Sequence, residues 1–357
     1  MRIVVDGRAL TDASAYRGIG TYVRQIVSGL AVEPDVDVRV LVSDRSVVPD
    51  GAGVCIVRRR APGRFAAMEH DWLLPFDLRR CTGDVVHSPA MDPPRRTPGP
   101  WVQTLHDLVP LMSGDLSASS RRWAEHARRL GSAAAVIAVS HWVADSAMEL
   151  LGLRDDVLHV VPHGVSDVFR PAARVGTASP YVLFVGEYDP RKRHELAFAV
   201  IGALAERGLP HRLVVAGRVA PWFETTMNHL VAAAGRPDRI EIRGYVPEAE
   251  LVALYQQADA VLVTSSAEGF GFPALEAMAC GSPVVAFDNS ATSEVVAAAG
   301  VLVPDADVPA MTQGLYDVLT DHRRRAELSA SGLERAGGFT WQASVAAHRY
   351  VFEKVAA

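Results

Sequence analysis

Short runs of β-branched and aliphatic residues recur along the chain, each closed by Gly, Pro or Asp and most followed by a longer stretch with helical apolar periodicity. In the first half the runs are 2–5 (RIVV), 37–43 (DVRVLVS), 84–88 (DVVHS), 101–105 (WVQTL), 135–139 (AVIAV) and 157–161 (VLHVV). A second series comprises 181–185 (YVLFV), 211–215 (HRLVV), 239–243 (RIEIR), 259–264 (DAVLVT), 283–287 (PVVAF) and 300–303 (GVLV). These runs lack the polar alternation of a sheet with one wet face, so they predict parallel strands covered on both sides. Helical periodicity lies between them over 19–31, 122–131, 141–151, 193–207, 248–257 and 308–320. Strand and helix alternating twice over predict an α/β protein of two doubly wound, Rossmann-like domains. The stretch 170–180 (RPAARVGTASP) breaks the pattern, which sets an N-terminal domain at 1–172 and a C-terminal one at 173–340. An amphipathic segment at 341–357 is expected to form a helix that crosses back onto the first domain. Two such sheets placed face to face leave a central cleft at their carboxyl edges, so functional residues are expected just after strands.

Composition narrows the class of partner. Lys and Arg number 36 against 41 Asp and Glu, a net charge of −5, which provides no basic excess for a nucleic-acid backbone. Cys55, Cys81 and Cys280 are odd in number and lack metal-like spacing, so they are expected as free thiols in a reducing cytoplasm. No apolar run approaches the ~18 residues of a membrane span, and MRIVV leads into a strand without signal-peptide organisation. The expectation is a soluble, cytoplasmic chain.

The richest stretch in chemistry is 264–281, TSSAEGFGFPALEAMACG. A strand ends there, Gly269 and Gly271 follow, and Pro273 and Gly281 mark the start and stop of a helix. Glu276 is expected in the first turn, pointing back toward the crevice that Glu268 lines. Carboxylates suit vicinal hydroxyls, and glycine amides at a helix N-terminus suit an anion, so the pair fits a polyol phosphate. A solvated Glu268 and a Glu276 that only satisfies the helix dipole is the plainer alternative. The run 186–194 (GEYDPRKRH) places Arg191, Lys192 and Arg193 after a strand, where they could neutralise a diphosphate or form a solvated face. His106 and Asp107 follow the strand 101–105, at a carboxyl edge. Taken alone, Gly18 and Gly20 (GIG) read better as an ordinary turn and helix start than as a phosphate turn. Arg58, Arg59, Arg60, Arg95 and Arg96 hint at an anionic acceptor or a peripheral membrane contact, and a solvated face explains them as well.

The string EGFGFPALEAMACGSPVV resembles the E-x7-E motif of glycosyltransferase family 4, retaining enzymes of the GT-B fold that use nucleotide-sugar donors. The resemblance spans nearly the whole chain, through RGIGTY (17–22), HSP (87–89), TLHDLVP (104–110), IAVSH (137–141), LHVVPHG (158–164) and FVGEYDPRK (184–192), and is greatest to bacterial mannosyltransferase-like members. It implies that Glu268 binds donor-sugar hydroxyls and Glu276 the ribose. The backbone of Gly269, Phe270, Gly271 and Phe272 would hold sugar and phosphate, Gly18 and Gly20 would face the diphosphate, and Val246 would frame the base. His106 would contact the transferred sugar, Asp107 the acceptor or the histidine, and Lys192 the phosphates. Many members carry arginine where this chain has Glu187; either Arg191, or more weakly Arg218, supplies the second positive charge, or the subgroup does without it. His163 and Gly164 match a hinge-side loop with a structural role. The family's chemistry, in which the leaving phosphate takes the acceptor proton, needs neither a metal nor a cofactor. GDP-mannose is the guessed donor and a glycan, glycolipid or small glycoside the acceptor, with a nucleotide-sugar epimerase or a non-catalytic sugar-nucleotide-binding subunit as alternatives.

Overall fold

The computed structural model describes residues 1–11, 18–57, 74–91, 95–112, 118–174 and 179–357. Its contacts divide the chain into two units, Met1–Gly164 with Thr340–Ala357, and Val165–Phe339. The first unit holds a seven-stranded sheet ordered β3-β2-β1-β4-β5-β6-β7, parallel throughout. Its strands are β1 (Arg2–Asp6), β2 (Asp37–Val42), β3 (Gly53–Ile56), β4 (Val85–Ser88), β5 (Trp101–Leu105), β6 (Ala135–Ala138) and β7 (Leu158–Val160). The second holds a six-stranded parallel sheet ordered β10-β9-β8-β11-β12-β13. Here the strands are β8 (Tyr181–Val185), β9 (Arg212–Ala216), β10 (Ile240–Gly244), β11 (Ala260–Val263), β12 (Val284–Asp288) and β13 (Val301–Pro304). Both sheets reverse direction of winding beside their first strand, between β1 and β4 and between β8 and β11. That reversal opens a crevice at the carboxyl edge, where such sheets take ligands.

The central strands are buried on both faces, as their uninterrupted apolar runs require: Ile3, Val4 and Val5 of β1 and Val182, Leu183 and Phe184 of β8 are at most 2% exposed. Among the elements that the apolar pattern did not predict are one strand and two longer helices. Strand β3 (GVCI) lies at a sheet edge with no fully buried residue, so it never carried a core pattern. The helices Glu224–Ala233 and His322–Gly337 bury few residues, Met227 in one and Gly332 and Ala336 in the other, so their apolar stripe is too thin to read.

The chain leaves the first unit at Gly164, ahead of the 172/173 boundary set by composition. Residues 170–174 belong to the second unit because Gln256 donates to the Arg170 carbonyl, Gln257 to that of Ala173, and Arg174 binds Asp259 at 2.8 Å. The terminal helix Trp341–Ala356 packs in the first unit, where Gly29 of the helix Gly18–Ala31 leaves room for Val345. The expectation of three free thiols is corrected. Cys55 at β3 and Cys81 after the helix Leu74–Arg80 form a disulfide, their Cα atoms 6.2 Å apart, and only Cys280 is free. Spacing along the chain cannot reveal this pair, because it is the β2–β3 pairing that brings Cys55 to that edge. Among the described residues no helix is long and apolar enough to cross a membrane.

Candidate active site

In the second unit the loops after β8 and β11 flank the sheet's reversal point, and the two strongest sequence candidates meet there. Lys192 Nζ lies 2.5 Å from Glu268 Oε1, with both side chains about one-sixth exposed or less. Three features fix the lysine. Its aliphatic stem runs over Gly186, where a Cβ would sit 3.3 Å from it. Asp189 caps the short turn Pro190–Lys192 by accepting from the Arg191 amide. Thr264, at the end of β11, donates its hydroxyl to the Lys192 carbonyl at 2.7 Å, and the Ser266 amide donates to the Arg191 carbonyl at 2.7 Å. Glu268 is held from the other side by Ser290, whose hydroxyl accepts from the Glu268 amide. Burial alone would raise the Glu268 carboxyl, but the adjacent Lys192 ammonium and hydrogen bonds hold it below its ordinary value.

The helix Phe272–Ala279 starts at Gly271, whose φ of 98° needs a residue without a β-carbon. Pro273 takes its second position rather than the first, and Glu276 falls in the second turn rather than the first. Glu276 Oε2 accepts from the hydroxyl of Tyr255 at 2.9 Å, a partner the sequence did not disclose. Burial pushes the Glu276 carboxyl up to about 7, against the Tyr255 hydrogen bond, which lowers it. The two glutamates therefore differ, one an ionised partner of lysine and the other poised near neutrality. Gly269, Phe270 and Gly271 are buried and Phe272 partly so, with the Phe270 and Phe272 rings 5.2 Å apart.

The basic run does not point one way. Arg191 folds onto Asp189 at 3.1 Å and Arg193 onto Asp305 at 2.7 Å, whereas Lys192 hydrogen-bonds Glu268, whose carboxyl also feels the Arg191 charge. Arg218 approaches Glu187 at 3.8 Å, because the ends of β8 and β9 run together there: the Tyr188 amide donates to the Arg218 carbonyl. Val246 follows β10 at the edge of the sheet, two strands from the reversal point on that side.

In the first unit His106 follows β5. Its Nε2 lies 2.7 Å from the Pro89 carbonyl and its Nδ1 3.3 Å from His163 Nε2. Burial lowers His106 to about 4, partly offset by the Pro89 carbonyl, so the ring is neutral near pH 7. Tyr22, the fifth residue of the helix that opens with Gly18, hydrogen-bonds His348 Nε2 at 2.7 Å and Thr104 at 2.8 Å, and Thr104 meets His87 at 2.9 Å. Burial holds His87, His163 and His348 below the ordinary histidine value as well. Sequence singled out His106 but not this cluster, whose members come from β4, the β5 end, the β7 end and the terminal helix. Asp107 accepts from the Val109 amide at the start of the short helix Val109–Met112. Gly18 is exposed and Gly20 buried, Arg95 and Arg96 are exposed, and Arg17, Arg58, Arg59 and Arg60 lie outside the described residues. A hollow lined by Met1, Asp35, Asp37 and Asp84 opens at the amino edge of the first sheet, the wrong end for a ligand of a parallel sheet.

Comparisons with known proteins cover both units of the chain. A family profile described as glycosyl transferases group 1 matches residues 166–335, and one described as glycosyltransferase family 4 matches 16–168. The chain is 30% identical over 374 residues to a D-inositol 3-phosphate glycosyltransferase of Frankia alni, covering 92% of each. It is 34% identical over 163 residues to the O-antigen chain mannosyltransferase B of Escherichia coli, covering 45% of this chain and 42% of that protein. Among solved structures, a sucrose-phosphate synthase from Thermosynechococcus elongatus aligns with a TM-score of 0.82 at 22% identity, covering 99% of this chain and 98% of that one.

Proposed function

Because the chain belongs to the family 4 glycosyltransferases, transferases of the GT-B fold that use nucleotide-sugar donors, we propose that it moves a hexose from a nucleoside-diphosphate sugar to an acceptor hydroxyl with retention of configuration. The observation that carries the reading is the Lys192–Glu268 pair at the reversal point of the second sheet. An ammonium has three donor positions and Glu268 takes one, which leaves two for phosphate oxygens. Glu268, kept ionised by the same lysine, accepts from the sugar hydroxyls, and Glu276 accepts from the ribose. Amides of Gly269 to Phe272 approach the phosphates at the helix start. The new bond forms between the acceptor oxygen and the anomeric carbon on the face the diphosphate leaves. The anomeric carbon–oxygen bond breaks, the electron pair departs on the diphosphate, and the acceptor proton passes to the leaving phosphate. Lys192 stabilises the charge that develops there, and the reading requires no metal ion.

We assign His106 to the transferred sugar. GDP-mannose is the first donor to try, given the likeness to a mannosyltransferase, and a polyol phosphate such as inositol 3-phosphate is the first acceptor, given the likeness to an inositol phosphate enzyme. The test is a thermal-shift screen of GDP, UDP, ADP and their sugars, followed by assay of diphosphate release with and without acceptor. Stabilisation by one nucleotide and acceptor-dependent release support transfer. A donor recovered with an altered sugar in the absence of acceptor points instead to epimerisation, and ligand stabilisation without turnover to a binding subunit.

A further inference from the structure

His163 is nearly inaccessible, and its ring lies among three others: His106 with centroids 5.3 Å apart, Tyr22 at 5.0 Å and Trp341 at 5.7 Å. The direction of the hydrogen bonds follows from chemistry. A carbonyl oxygen only accepts, so His106 Nε2 carries the proton that it donates to Pro89. In the neutral ring Nδ1 is then a lone pair, and at 3.3 Å it accepts from His163 Nε2–H. His106 is thus clamped at both nitrogens, by a backbone carbonyl after β4 and by a side chain after β7. The clamp is itself anchored. A β-carbon at Gly164 would collide with the Trp341 amide nitrogen, so the backbone next to His163 lies directly on the start of the terminal helix. The edge-on contact of Tyr22 with His106, at 4.9 Å, fixes the remaining face, and Tyr22 is tied to His348 of that same helix.

We propose that His163 is a positioning residue for His106, holding it through the Nε2–H to Nδ1 hydrogen bond so that one tautomer in one ring plane meets the donor sugar. This rests on the assignment of His106 to the sugar. The requirement is geometric: a group that contacts a reacting centre loses effectiveness when its plane swings, even if it remains present. The terminal helix acts through the same clamp, since Trp341 and His348 back His163 and Tyr22.

The test compares His163→Leu, which fills the space without donating, with His163→Gln, whose amide carries an N–H to a similar reach. His106→Ala and the double variant His106→Ala/His163→Leu complete the cycle. Initial rates of diphosphate release are measured with whichever of GDP-mannose, UDP-glucose and UDP-N-acetylglucosamine the wild type turns over. His163→Leu is expected to lower kcat about tenfold with donor KM changed less than about twofold. His163→Gln is expected to recover most of the rate, and the double variant to be no slower than His106→Ala. Full activity of His163→Leu beside a slow His106→Ala overturns the positioning role and leaves the sugar assignment standing. Full activity of His106→Ala overturns that assignment instead. Equal losses in the Leu and Gln variants, or multiplicative losses in the double variant, also overturn the proposal, because they reduce His163 to packing. Imidazole nitrogen shifts of the wild-type protein give a readout free of variant folding: His106 is expected as the neutral Nε2–H tautomer, and the Nδ1–H tautomer overturns the clamp.

Discussion

Lys192 and Glu268, separated by 76 positions in sequence, meet at 2.5 Å between the loops that follow β8 and β11. The Lys192 ammonium holds the Glu268 carboxyl in its charged form, and both side chains are largely buried. Removing one member of such a pair strands the other, which costs far more than the pair itself contributes. Lys192→Ala is expected to lower turnover roughly tenfold or more and to destabilise the protein by about 3 kcal/mol near pH 8. The loss depends on pH in a definite direction. In the wild type the Glu268 carboxyl lies below its ordinary value, so its stabilisation is present above that value and is lost as pH falls through the folded one. Without Lys192 the buried carboxyl is pushed up and escapes its penalty by binding a proton. The stability gap between wild type and variant therefore narrows from pH 8 to pH 5 in urea titrations. A gap of equal size at both values would show that Lys192 does not govern that carboxyl.

Glu276 behaves in the opposite sense. Its carboxyl is raised from 4.5 to about 7 by burial, so the folded protein binds that proton more tightly than the unfolded chain. The associated stability is complete below the ordinary value and is lost as pH rises through about 7. Glu276→Gln cannot ionise and keeps an acceptor for the Tyr255 hydroxyl. Relative to this variant, the wild type is expected to lose a few degrees of Tm between pH 5 and pH 8, on the order of the shift that ~1 kcal/mol produces in a chain of this size. Parallel Tm curves for the two proteins would refute it.

Two glycines of the second unit make contrasting forecasts. A β-carbon at Gly217 would overlap the carbonyl oxygen of Gly186 and lie 2.8 Å from the Glu187 amide nitrogen. Neither backbone group can retreat without opening the ladder, since Gly186 donates to Ala216 at 2.9 Å and Gly217 to Gly244 at 2.8 Å. Gly217→Ala is expected to cost about 2 kcal/mol or more and to slow turnover, because Gly186 is the floor under the Lys192 stem. Gly202 lies inside the helix His194–Glu206 with nothing within 4 Å of its β-carbon position, so Gly202→Ala is expected to stabilise by about 0.5 to 1 kcal/mol. Denaturant unfolding measures both, and similar effects from the two substitutions would deny the close approach at Gly217.

The sequence made these residues visible individually and left their relationships hidden. Val182 to Val185 and Val261 to Val263 declare themselves as strands, because a strand buried on both faces cannot carry polar positions. Glu268 and Lys192 are legible because each follows such a strand, and the carboxyl edge of a parallel sheet is where ligands go. That they pair with one another depends on β8 lying next to β11, a matter of strand order that local pattern does not encode. Tyr255 lies within the helix Glu248–Gln257, and its contact with Glu276 gives the hydroxyl a purpose that periodicity does not show. The imidazoles of His87, His106, His163 and His348 converge from segments separated by up to 261 positions, so no window of sequence holds two of them within one element. The basic run 191–193 shows the converse. Adjacency in sequence suggested a shared target, whereas the left-handed conformation of Arg193, at φ 51°, turns the run apart.

The Cys55–Cys81 bond changes what a thiol count should find. Cys55 ends the edge of the first sheet and Cys81 follows the helix Leu74–Arg80, so the bond closes a segment of 26 positions. Closing a loop of that length removes freedom from the unfolded chain and stabilises the fold by about 3 kcal/mol in the chain-entropy view. Cys280 is buried, and its thiol is pushed up to about 12, first by burial and then by the nearby Glu276 carboxyl, so it stays a thiol and reacts slowly in the native protein. Protein prepared without reductant is expected to show almost no reactive thiol when native, one when unfolded, and three when unfolded after reduction. Reduction of the native protein, or Cys81→Ser, is expected to lower Tm, and the two treatments should not add because they remove the same cross-link. Three thiols in the unfolded, unreduced protein would place both cysteines in the reduced state and return that edge of the sheet to packing alone.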